Sequence, residues 1–310
     1  IGSPKAPDDR LVVTKQGIEF SGADRVMRLL YRVFGRWAFT IAGAVVLALL
    51  SVLGIALFGR ALTAHLPLRA VELSPIVAVI VIEVMGWTAM SLHELGHGFV
   101  LIHAGRRVGR VGMGFYWGLL SFYVDASDGM LADRRTRMLQ AAAGSISDLF
   151  WAGVALSLTL VVGVHSPTAD LLRQFAVLQY VTIALNAVPL LELDGYHFLA
   201  DFLDRPDLKA ESNAAVRDLP AALRDPQRRG LALYGVASIV FGTVLLIGAA
   251  IAWWHVFGSL VTELIHGSPL AKGFGIYFVL PYLVMVGHLA ATAHRTLQGR
   301  HHDHEAHQES

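Results

Sequence analysis

Polarity in this chain is distributed in blocks, and that limits its fold more than any other feature. Stretches with few or no charges run over about 37–59, 74–104, 138–164, 171–200, 231–256 and 274–293. Each is at or above the ~20 residues that a helix needs to cross a hydrocarbon layer. Inside such a layer there is no water to satisfy backbone N–H and C=O groups, so each stretch must satisfy its own by forming a helix. The expectation is an all-α polytopic membrane protein with about six transmembrane helices. Composition agrees: 55% of the 310 residues are hydrophobic and 16% are charged, more apolar surface than a water-soluble core absorbs.

The charges that remain give an orientation. Lys15, Arg25, Arg28, Arg32 and Arg36 precede the first stretch. Arg106, Arg107, Arg110, Arg134, Arg135 and Arg137 separate the second from the third, and Arg205, Lys209, Arg217, Arg224, Arg228 and Arg229 separate the fourth from the fifth. Basic loops stay on the cytoplasmic side, so an even number of spans puts both termini there. The lipid bilayer is thus an expected partner. A net charge of +1 with its basic residues in connecting loops argues against a nucleic-acid partner. The absence of cysteine excludes disulfides, a thiol nucleophile and thiolate ligands, leaving nitrogen and oxygen for any metal.

Along the chain, residues 1–36 read as a leader, with a short hairpin at 11–20 and a basic amphipathic helix at 22–36. A membrane core follows over 37–210. Within it, 107–124 is rich in glycine and β-formers and too broken to cross as a helix, so it is expected to be a short interfacial β-segment between the second and third spans. Residues 211–229 read as a polar cytoplasmic connector, 230–295 as two further spans, and 296–310 as a histidine-rich polar tail to which we assign no function.

The second apolar stretch contains His93-Glu94-Leu95-Gly96-His97. On a helix, positions four apart are offset by ~40° and ~6 Å, so both imidazoles face one way and can clamp one Zn2+ ion, with Glu94 beside it as general base. Three ionisable groups within five residues of a membrane helix are costly unless paired or metal-bound. Zinc enzymes usually supply three protein ligands and leave the fourth position to water. The best third ligand is Asp194, in Asn186-Ala187-Val188-Pro189-Leu190-Leu191-Glu192-Leu193-Asp194-Gly195. If both segments are regular helices, it lies within a turn of the histidines in depth, and Glu192 points ~160° away from it.

The pair His-Glu-x-x-His on one span and Asn-x-x-Pro-x-x-x-x-Asp-Gly on a later one resembles the paired signatures of the site-2 protease family of intramembrane zinc metalloproteases. The run Leu185 to Tyr196, with Tyr123-Val124-Asp125-Ala126-Ser127-Asp128, looks most like the bacterial peptide zinc metalloproteases within that family. The resemblance covers roughly 74–210. It implies zinc on His93, His97 and Asp194, Glu94 as base, a multi-pass protein of the bacterial plasma membrane, and a membrane-protein or peptide substrate. One departure is Ala143-Gly144-Ser145-Ile146-Ser147-Asp148, where relatives commonly show Ala-Gly-Pro followed by an asparagine.

Further residues are assigned roles around this centre. Asn186, brought near by a kink at Pro189, is a candidate to hydrogen-bond substrate or the oxyanion, and equally to satisfy the backbone that the proline breaks. Asp148 and Asp128 are candidates to hold the ligands from behind, and Asp125 and Asp128 equally suit turns that cap the following helix. The stretch 108–124 suits strand addition to an unwound substrate. The leading expectation is a metalloendopeptidase acting near the cytoplasmic face. A divalent-metal transporter would use acids and histidines on several spans, and a non-catalytic membrane scaffold would keep the motif without the activity.

Overall fold

The computed structural model describes residues 11–14, 17–20, 22–64, 74–116 and 119–277, with 279, 280, 283 and 287 beyond them. Contacts divide the chain into a larger unit, Ile1–Gly114 with Ser121–Gly242, and a smaller one, Phe115–Leu120 with Thr243–Ser310.

The chain starts with β1 (Leu11–Thr14) and β2 (Gly17–Phe20), which pair antiparallel with Leu11 opposite Phe20. Helix α1 (Ala23–Leu30) follows and passes into a π-helical turn at Tyr31–Gly35 and a 3-10 turn at Arg36–Phe39. The basic amphipathic helix expected at 22–36 is therefore regular only over its first two turns. Thr40 then caps α2 (Ile41–Thr63), its hydroxyl accepting the Gly43 N–H at 3.0 Å. Next come α3 (Pro75–His103), β3 (Val111–Tyr116) and β4 (Leu119–Val124).

β2 pairs antiparallel with β3, Phe20 opposite Val111, in a four-stranded sheet of order β1-β2-β3-β4. The leader hairpin and the segment between the second and third spans, separate in the sequence, are thus one sheet. β3 is interior to it.

Asp133 caps α4 (Arg134–Val162), accepting the Arg135 and Thr136 amides. The Thr136 hydroxyl, with those amides, holds the Asp133 carboxyl below the usual carboxylate range. Ser166 caps α5 (Pro167–Asn186). After it stand α6 (Asp194–Phe202), α7 (Leu208–Arg217), α8 (Leu219–Arg224) and α9 (Arg229–His266). The connector at 211–229 therefore carries helices of its own, with Leu208, Ala215, Ala222 and Ala232 buried around it.

Among the described residues, four helices are long and apolar enough to cross a membrane: Ile41–Thr63, Ile76–His103, Arg134–Val162 and Arg229–His255. The apolar stretch 171–200 is not one helix. α5 stops at Asn186, the chain turns through 187–193, and α6 restarts at Asp194. Pro189 has no N–H to donate and disfavours helical geometry at Val188, so the break falls where the ladder cannot continue. Most of the stretch 274–293 and all of the tail 296–310 lie outside the described residues.

α4 is the hub of the larger unit, packing against α2, α3, α5 and α6. Lipid tails are as apolar as leucine, so membrane helices associate through close packing of small residues rather than through a hydrophobic drive. α4 shows this on two faces. Against α2, a Cβ on Gly153 would stand 2.1 Å from the Leu50 carbonyl oxygen. Against α3, a Cβ on Gly96 would stand 2.5 Å from the Ala143 carbonyl oxygen, and the Ser147 hydroxyl donates to the Leu92 carbonyl at 2.7 Å.

Candidate metal centre

One helical turn separates His93 from His97 on α3, and both are buried against α4. His97 Nδ1 lies 2.7 Å from the Gln140 carbonyl oxygen. A carbonyl only accepts, so Nδ1 carries the proton and Nε2 presents a lone pair. His93 Nδ1 lies 2.7 Å from Asp148 Oδ2, and the same reasoning leaves its Nε2 as an acceptor. The two Nε2 atoms are 3.2 Å apart. Asp194 Oδ2 approaches them at 3.1 Å from His93 and 3.4 Å from His97, and it is buried without a hydrogen-bond donor.

Two imidazole nitrogens and one carboxylate oxygen thus aim at one point. Tetrahedral ligands at ~2.0–2.1 Å from a metal stand about 3.3 Å from one another, the spacing seen here. The buried group can hold a metal ion.

Glu94 sits beside this point and is not one of the three. A carboxylate oxygen of Glu94 lies within 4.8 Å of the two histidine nitrogens. Its Oε2 accepts the Val124 N–H at 3.1 Å, so the last residue of β4 fixes its orientation.

Asp194 reaches the histidines because the helix breaks. As the first residue of α6 it projects from a fresh N-terminus. A Cβ on Gly195 would lie 2.6 Å from the Asn186 carbonyl oxygen, so only glycine lets the start of α6 fold back onto the end of α5. The regular-helix geometry expected for Asn186, Glu192 and Asp194 does not hold, because 187–193 is not helical. Glu192 is exposed, whereas Asp194 Oδ2 lies within 3.4 Å of both histidine nitrogens. Asn186 is the last residue of α5, half-buried.

Of the two residues expected behind the ligands, Asp148 is there and Asp128 is not. Asp148 is fully buried on α4, with Oδ2 on His93 and, among the described residues, no partner for Oδ1. Asp128 Oδ2 instead accepts the Arg107 N–H at 2.9 Å. Asp125 Oδ1 accepts the Ser127 N–H at 3.1 Å, and its backbone pairs with Gly109 and Arg110. Both are turn residues that close the loop after β4.

Two contributors escaped the sequence reading. One is the Gln140 carbonyl, a backbone group that no side-chain pattern reports. The other is Gly144, where a Cβ would stand 2.4 Å from His93 Nε2 and 2.6 Å from His97 Nε2. Its signal was the run of small residues from Ala141 to Gly144 in an apolar span, the pattern that lets membrane helices approach closely. Comparisons of the chain with protein-family models, with curated proteins and with solved structures yield no match.

Two substitutions test this geometry through metal binding alone. Gly144→Ala puts a methyl group where the metal and both rings meet, and should abolish stoichiometric metal in the purified protein. Asp148→Ala leaves the His93 N–H without its acceptor and should weaken metal affinity about 10- to 100-fold. Competition with a chelating dye reads both; wild-type affinity in either variant would show that the three acceptors are not the site.

Proposed function

We propose that the protein is a zinc-dependent intramembrane endopeptidase of the site-2 protease type. It hydrolyses a peptide bond of a membrane-embedded or membrane-apposed substrate near the cytoplasmic face. One observation carries this reading: two imidazole nitrogens and a carboxylate oxygen converge, with a second carboxylate, Glu94, held beside them and left over. Three protein ligands keep one coordination position open, and nitrogen and oxygen donors of this kind suit zinc. When bound, zinc supplies a Lewis acid that lowers the pKa of water from ~15.7 toward ~7.

The chain's own residues do the rest. Glu94, oriented by the Val124 amide, takes a proton from the water as its oxygen attacks the peptide carbonyl carbon. It then returns that proton to the amine nitrogen as the C–N bond breaks. Asp148 keeps His93 in the tautomer that binds metal. Asn186, at the end of α5, is the side chain we assign to the substrate carbonyl.

A helical substrate hides its carbonyls in its own hydrogen bonds, so it must be unwound to be cut. β3 has neighbours on both sides, whereas β4 ends the sheet order and its last residue bonds Glu94. A substrate strand would therefore add along β4, rather than anywhere along 108–124. In the membrane we read about six crossings, with α5 as the fourth; its 20 residues span ~30 Å. Both termini then lie in the cytoplasm, and the bacterial plasma membrane is the setting the family resemblance implies.

Three outcomes are expected. Glu94→Gln should keep its zinc and lose cleavage, whereas His93→Ala should lose zinc, and proteomics of cells carrying Glu94→Gln should show an uncut membrane protein accumulating. Equal zinc loss in the two variants would sink the separation of base from ligand. Once the cleaved peptide is known, N-methylation of its backbone amides should block cleavage at alternate positions; uniform tolerance would eliminate strand addition. Reporter fusions at residues 20 and 215 and at the C-terminus should all report cytoplasm, and an external signal from any one would overturn the six-crossing reading.

A further inference from the structure

On the side of the α3–α4 seam away from the metal centre, α2, α3 and α4 leave an apolar groove. Ala48 and Ile55 of α2, Leu95 and Phe99 of α3, and Ala143 and Phe150 of α4 are among its walls, and Gly35 and Trp37 close one end. Ser147, which also lines it, spends its hydroxyl on the Leu92 carbonyl. None of the chemistry at the metal centre uses this space.

The groove has a volume of about 910 Å³ and follows α2 from Ala44 to Ile55, ~16 Å at the helical rise. Its lining is almost wholly apolar, which suits hydrocarbon chains.

Charge identifies the head that belongs to those chains. α3 and α4 run antiparallel, His97 beside Gln140 and Leu92 beside Ser147. Gly35 packs on Phe99, so the closed end lies at the C-terminal end of α3 and the N-terminal end of α4. Arg36 sits between Gly35 and Trp37, Arg32 lies one turn earlier, and Arg135 lies one turn before the lining residue Leu139; all three are exposed. The acidic groups nearby are engaged: Asp24 pairs with Arg28, and Asp133 caps α4. The rim at this end is therefore basic.

We propose that this groove holds the acyl chains of one anionic phospholipid, its headgroup on Arg36 and Arg135 with Arg32 beside them. The lipid fills the space left between α2 and α3 and packs against Gly96. This site goes beyond the proposed peptidase activity and does not depend on it.

Native mass spectrometry of the full chain tests the site, with the protein released from detergent containing equal phosphatidylglycerol and phosphatidylcholine of matched chains. Near an anionic surface each arginine is worth roughly fivefold in binding, so one phosphatidylglycerol should be retained at least about tenfold over phosphatidylcholine. Ala48→Phe, at an exposed position on α2, should abolish retention of either lipid. Ser51→Phe fills the same space if the first variant is not monodisperse. Arg36→Gln with Arg135→Gln should keep the chains and lose the preference. Equal retention of both lipids by the wild type, undiminished phosphatidylglycerol in the filled variants, or a co-purifying peptide in place of lipid would each overturn the proposal.

Discussion

Two imidazole nitrogens and a carboxylate oxygen held 3.1–3.4 Å apart need a positive charge between them, a proton or a metal ion, and the seam between α3 and α4 is built around that convergence. A buried carboxylate with nothing to compensate it costs several kcal/mol. A positive charge at the meeting point offsets that cost. Gln140 and Asp148 fix the two imidazoles so that their free nitrogens face inward, and Gly144 removes the side chain that would occupy the meeting point. The seam between α3 and α4 is accordingly tight because the ligand geometry and the helix packing demand the same small residues.

In a low-dielectric surrounding, every polar group must be answered locally. Arg173, buried on α5, illustrates part of the solution: it pairs with Asp170 and donates to the Val164 carbonyl at 2.8 Å. Several serine and threonine hydroxyls of the long helices turn back on backbone carbonyls, as Ser157 does to Gly153 and Thr159 to Leu156. At the candidate metal centre three nitrogen and oxygen atoms converge on one point instead.

Much of this was legible in the sequence because it follows from spacing. His93 and His97 lie four apart on an uninterrupted apolar run, so the helix alone brings them together. Asp194 was placed near the histidines through its motif, and it lies there, although for a geometry the chain does not adopt: regular-helix reasoning assumed continuity through Pro189, whereas the carboxylate is presented by a new helix start. Asp128 had two readings because an acid near a helix start looks the same in sequence whether it serves a turn or a metal, and the structure shows the turn. The joining of β1–β2 to β3–β4 was invisible, since strand partners about ninety residues apart leave no local periodicity. Gly144 and the Gln140 carbonyl act through what is absent or through backbone, and neither announces itself in a residue pattern.

The break between α5 and α6 frees backbone carbonyls that a continuous helix would have used, and one of them is served from far along the chain. The Tyr234 hydroxyl, on the first turns of α9, donates to the Pro189 carbonyl at 2.5 Å. The bend that presents Asp194 is thus braced by a helix lying beyond both motifs. The smallest fragment of this chain with a fixed ligand set is therefore longer than the fragment that contains the ligands. Residues past the motif-bearing segment belong to the workings of the site rather than to an appended module.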